Sequence, residues 1–110
     1  MNCEVRDEGG AAVISLSGDV DLDNSPKVRS ILLDCVSTRS AVLVDMSGVS
    51  YIDSSGVASL VEAFQAARKG GATFGLCDVS EPALRVLELA RLDKVFTIHS
   101  SVADGLKDGG

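Results

Sequence analysis

Residues 41–60 read AVLVDMSGVSYIDSSGVASL. The opening AVLVD is continuously apolar and β-branched, the pattern of a central strand covered on both faces. Beyond the glycine at position 56 the spacing changes. Val57, Leu60, Val61, Phe64 and Ala67 recur on one face of a helix. MSGVSYID lies between and reads as a loop, closing on two serines set between an aspartate and a glycine. A buried strand feeding an amphipathic helix is half of a parallel crossover, so this stretch decides for an α/β fold.

The pattern continues on both sides. Gly70-Gly71 ends the helix, because glycine accepts the left-handed C-cap conformation. ATFGLC, residues 72–77, is the next strand. Ser80-Glu81-Pro82 opens a third helix with Ala83, Val86, Leu87 and Ala90 inward. VFTI (residues 95–98) is a last short strand, and residues 100–106 a closing helix. Upstream, AAVISLS (residues 11–17) alternates like a half-buried strand, and Glu8-Gly9-Gly10 turns into it from a short strand over residues 3–6. GDVDLDNSP is a polar loop whose Ser25-Pro26 supplies an N-cap and a proline at the first helical position. Val28, Ile31, Leu32 and Cys35 form the stripe of that first helix, which fades near residues 37–40. The order β, β, α, β, α, β, α, β, α predicts one domain over residues 1–110, with an opening hairpin at one edge of a mostly parallel sheet. Gly109-Gly110 is expected as a frayed tail.

With 110 residues and 45% hydrophobic content the chain is large enough for one real core. Aromatics are 4%, so aliphatic side chains must do most of the packing. Ten Lys and Arg against 16 Asp and Glu leave a net charge of −6, with no basic cluster to neutralise a phosphate backbone; this argues against nucleic-acid binding. The N-terminus carries no secretory signal pattern, and no apolar run nears the roughly 20 residues of a membrane helix, so a cytoplasmic protein without membrane insertion is expected. Cys3, Cys35 and Cys77 are an odd number at wide spacing and read as reduced core thiols. With no C-x-x-C pair and His99 as the one histidine, no metal or cofactor is expected.

Enzyme chemistry finds little support. G-x-S-x-G, Walker and G-x-G-x-x-G motifs are absent, and His99 lies far along the chain, by the last strand. Asp45 at a strand end invites comparison with a phospho-accepting aspartate, and Asp19, Asp21 and Asp23 with its magnesium ligands. VFTIHSS lacks the lysine such a site needs, so Asp45 is read as a loop-ordering residue. The acidic triplet lacks the glycine and distal glutamate of a calcium loop. It reads as a solvated turn, or as negative charge offered to a partner. DSSG also has two readings. Ser54 or Ser55 can cap the helix, with Asp53 near the positive end of its dipole. Alternatively one serine is a modification target, with Gly56 letting a partner or a kinase approach the backbone.

LSGDVD (16–21), LVDMSGVSYIDSSGVASL (43–60) and VSEPALRVLELARLDKVF (79–96) together resemble a STAS domain, most nearly the bacterial anti-sigma factor antagonists. The resemblance spans nearly the whole chain, and DSSG with its apolar helix is the most specific part. It implies a small mixed sheet with about four helices packed mainly on one face. It implies no catalysis, and phosphorylation at the second serine of DSSG, Ser55. Asp21, Asp53, Ser54, Gly56 and Val57 are the implied partner-binding companions; Val57 stands where leucine is common. The implied partners are an anti-sigma factor serine kinase, bound until it phosphorylates Ser55, and a PP2C-type phosphatase that resets the switch. STAS-like proteins also stabilise the ATPase of bacterial lipid-transport ABC systems, the alternative reading. A phosphate at a helix N-terminus is expected to be tolerated by free amides and the dipole, leaving the core undisturbed.

Overall fold

The computed structural model describes residues 1–109. Its elements are β1 (Asn2–Glu8), β2 (Ala11–Val20), α1 (Ser25–Thr38), β3 (Ala41–Ile52), α2 (Ser54–Gly70), β4 (Thr73–Cys77), α3 (Glu81–Leu89), β5 (Thr97–His99) and α4 (Val102–Gly109). All five strands form one sheet in sequence order, β1 antiparallel to β2 and the remaining neighbours parallel. Gly9 and Gly10, at φ of 57° and 87°, make the two-residue hairpin turn that only positive φ allows.

This strand order explains the helix layout. Each parallel connection steps the same way along the sheet, and right-handed crossovers then carry every connecting helix to the same face. Accordingly α1, α2 and α3 bury Leu32, Leu60 and Leu87 in one cluster with Ile14, Val44 and Leu76 of the sheet. The three phenylalanines concentrate there: the Phe64 ring meets Phe74 and Phe96 edge-on, at centroid distances of 6.4 and 5.5 Å. After β5 no strand remains to be joined, and α4 packs on the opposite face. A Cβ on Gly105 would meet Cys77 Sγ at 2.9 Å and Leu43 Cδ1 at 3.1 Å. The fold is the expected mixed sheet with helices mainly on one face.

Several boundaries differ from expectation. β3 does not stop at Asp45; it continues through MSGVSYI, and β2 runs on to Val20 beside it. Register shifts between Ser15 and Ser17 and between Gly18 and Asp19 break the two-residue alternation. Met46, Val49 and Ile52 are therefore all buried although they stand three apart, a spacing that hides a strand. β1 is longer than residues 3–6, β5 lies two residues beyond its expected start, and α4 begins at Val102. The N-cap of α1 is Asn24, with Ser25 inside the helix and buried. Ala90 follows α3 and is exposed. Gly109 belongs to α4, and Gly110 of the expected frayed tail lies outside the described residues. Among the described residues no helix is long and apolar enough to cross a membrane.

Candidate functional site

The two long strands end side by side, Val20 opposite Ile52, at the edge where parallel sheets place their sites. Asp53 is the next residue. Its backbone N–H donates to the Val20 carbonyl at 3.1 Å, which fixes it against the end of β2. Its extended φ and ψ make it the N-cap of α2. Asp53 Oδ1 accepts from the Ser55 amide at 2.9 Å, the Gly56 amide at 3.1 Å and the Ser55 hydroxyl at 2.5 Å. The hydroxyl of Ser55, followed by the Gly56 amide, holds the carboxyl below the usual aspartate value. The Leu22 amide also favours the ionised carboxyl, more weakly.

This arrangement corrects the expected capping. The aspartate caps, and the serine hydroxyl donates where it was expected to accept. The amides of Ser55 and Gly56 that were to cradle a phosphate are already engaged by Asp53. Ser54 is exposed and Ser55 half-buried, opening onto a shallow pocket of about 350 Å³ between α1 and α2. Ser25, Pro26 and Arg29 line it from α1; Ala58, Ser59 and Glu62 line it beside Ser55 from α2.

Gly56 and Val57 turn inward and cannot offer side-chain contacts to a partner. A Cβ on Gly56 would meet Ile52 Cγ1 at 2.7 Å and Val20 Cγ1 at 2.8 Å, so the glycine clears space for the core and not for an approaching molecule. Val57 is 9% exposed and packs in the core cluster. Asp21 lies in the β2–α1 loop, where its carboxylate accepts from the Asp23 amide at 3.1 Å and its own amide donates to Asn24 Oδ1 at 2.9 Å. Turn chemistry thus accounts for part of the acidic triplet.

Two exposed apolar side chains join this edge without having been singled out in the sequence. Leu22 is 72% exposed between Asp21 and Asp23, and Tyr51 is 52% exposed opposite Asp19. A leucine isolated between two aspartates, next to no apolar stripe, was the available signal for the first. Nothing in the sequence marked Arg29, which pairs with Glu62 across the pocket.

The residues weighed for other chemistry lie elsewhere. Asp45 accepts from the Ser47 amide at 3.0 Å and faces the Ser15 hydroxyl at 3.5 Å, in keeping with a local ordering role, although within a strand. His99 is in β5, in register with Cys77, and packs over Gly75, away from the start of α2. Among the described residues no group of three or more His, Cys, Asp or Glu could hold a metal ion.

The STAS domain family model matches residues 2–105. An anti-sigma F factor antagonist of Paenibacillus polymyxa is 23% identical over 110 residues, covering 98% of this chain and 94% of the relative. An anti-sigma-B factor antagonist of Listeria monocytogenes is 30% identical over 88 residues, covering 79% of this chain and 77% of the relative. The crystal structure of an anti-sigma factor antagonist from Mycobacterium paratuberculosis superposes with a TM-score of 0.88 at 27% identity, covering 98% of this chain and 92% of that one.

Proposed function

The chain belongs to the STAS domain family, and from that membership we infer that it is an anti-sigma factor antagonist, a cytoplasmic binding protein and not an enzyme, that works by partner switching. The observation that carries this reading is the seating of Ser55 by Asp53. Asp53, fixed through its own amide to the end of β2 where the acidic turn begins, holds the Ser55 hydroxyl at the head of α2. Ser54, Ser55, Asp21, Leu22 and Tyr51 thereby share one edge, an acidic rim around exposed apolar side chains. Such a surface suits a partner with basic and apolar groups.

In this reading the unmodified chain docks an anti-sigma factor that is a serine kinase. The kinase transfers the terminal phosphoryl group of ATP to Ser55 Oγ, the hydroxyl proton leaves, and ADP departs. A PP2C-type phosphatase later directs water onto phosphorus, restoring the hydroxyl and releasing inorganic phosphate. The phosphate adds about −1.5 to −2 charges where the rim is already acidic. A loss of about 3–4 kcal/mol in binding corresponds to several-hundred-fold weaker association.

The test is affinity between the purified chain and the anti-sigma kinase recovered from its host, by calorimetry. Ser55→Ala should bind like the unmodified chain, and phosphorylation or Ser55→Asp should weaken binding by about two orders of magnitude or more. Equal affinity of the phosphorylated and unmodified chains would sink the reading. Recovery of a transporter ATPase and permease in place of a kinase would favour the accessory role.

A further inference from the structure

Ser55 opens onto a pocket whose charged lining residues are Arg29 and Glu62, and nothing so far uses that pocket. Resting on the reading of Ser55 as a phospho-acceptor, we propose that Arg29 is the seat of the phosphate: on modification it turns from Glu62 to phosphoserine 55, across the groove between α1 and α2.

Three observations lead there. First, most backbone donors near Ser55 are taken. Ser55 and Gly56 amides bond Asp53 Oδ1, and the Val57 amide bonds the Asp53 carbonyl. On the α1 side the Ser25 amide bonds the Asp21 carbonyl, the Lys27 and Val28 amides bond the Asn24 carbonyl, and Pro26 has no N–H to give. The Ser59 hydroxyl is directed to the carbonyls of Ser25 and Ser55. Second, esterification removes the Ser55 hydroxyl proton, which now bonds Asp53. The dianion then faces a carboxylate without the bond that held it there, and repulsion turns it toward the pocket. Third, the guanidinium in that pocket is held by an exchangeable partner. Arg29 and Glu62 side chains are 52% and 47% exposed, and half-exposed ion pairs of this kind are weak. Only Nε of Arg29 is used, leaving the other donors of a five-donor fork suited to phosphate oxygens. A phosphate with nearly twice the charge of a carboxylate wins that exchange.

The consequence is a modified state with its own structure. The phosphate is anchored on α1, pulled from Asp53, and Glu62 is released toward solvent. Switching thus involves a rearranged pair as well as added repulsion.

The experiment installs phosphoserine at position 55 during synthesis, so that no kinase is needed, and titrates it by phosphorus NMR. The same is done in Arg29→Gln and Glu62→Gln chains, with circular dichroism checking that each is folded. The groups facing the phosphate are Asp53 and Glu62, which raise its second ionisation, and Arg29, which lowers it. Arg29→Gln should raise the midpoint by about one pH unit, a tenfold change in proton affinity, and Glu62→Gln should lower it below the parent's. Identical midpoints in the parent and Arg29→Gln chains would overturn the seat. Because the titration involves no partner, it fails or succeeds independently of whether phosphorylation weakens binding, which tests the underlying reading.

Discussion

The Asp53 carboxylate gathers two backbone amides and one hydroxyl, from Ser55 and Gly56. Hydrogen bonds to the ionised form lower its proton affinity, and a carboxyl lowered on folding contributes stability above its ordinary value of 3.8. That contribution is lost as pH falls through the lower folded value. Asp53→Asn should therefore be less stable than the parent at neutral pH, and the gap should close in acid. Urea denaturation between neutral pH and about pH 2 measures it, and a gap constant over the range would show that the charge is immaterial. The sequence exposed the ingredients, an aspartate and two serines at a helix start, but not the direction of the bonds. Asp, Ser and Asn are comparable caps, and which one wins depends on where the strand before them stops.

At the scale of elements, α2 and the ends of β2 and β3 meet through a glycine. Gly56→Ala removes glycine's helical penalty of about 1 kcal/mol. It also drives a methyl to within 2.8 Å of both Val20 and Ile52, which are buried and cannot recede. Overpacking of that kind costs about 1–3 kcal/mol, so net destabilisation is expected, read as a lower urea midpoint with unchanged slope. A midpoint that rises would mean the core yields at this seam. The helices themselves were legible: Val57, Leu60 and Ala67 kept their period, and Gly71 caps α2 at φ 77°. The second half of β3 was not, because its bulged pairing with β2 puts Met46, Val49 and Ile52 inward at intervals of three. A pattern rule assumes one period per element, and a bulge changes it midway.

Across the whole molecule, the sheet divides the chemistry between its faces. α1 and α2 bring Ser55, Arg29 and Glu62 together on one side, while α4 seals Cys77 on the other. Burial, aided by Asp45 and Asp78, pushes the Cys77 thiol up to about 11. A thiol raised on folding supports the folded state fully below its ordinary value of 9.0, and that support is lost as pH climbs toward 11. At mildly alkaline pH, iodoacetamide should alkylate Cys77 roughly tenfold or more slowly than the half-buried Cys3 and Cys35, as peptide mapping would quantify. Equal rates would mean that α4 opens readily. What the sequence by itself determined is the succession of strands and helices, the parallel α/β class and the DSSG junction, because periodicity and glycine or proline punctuation are local properties. Only the tertiary structure decided that Gly56 and Val57 face the core, that Leu22 and Tyr51 stand beside Asp53, and that Arg29 faces Ser55. Those neighbours come from different crossovers, and their meeting depends on strand register and on the face to which each helix is carried, which no window of residues contains.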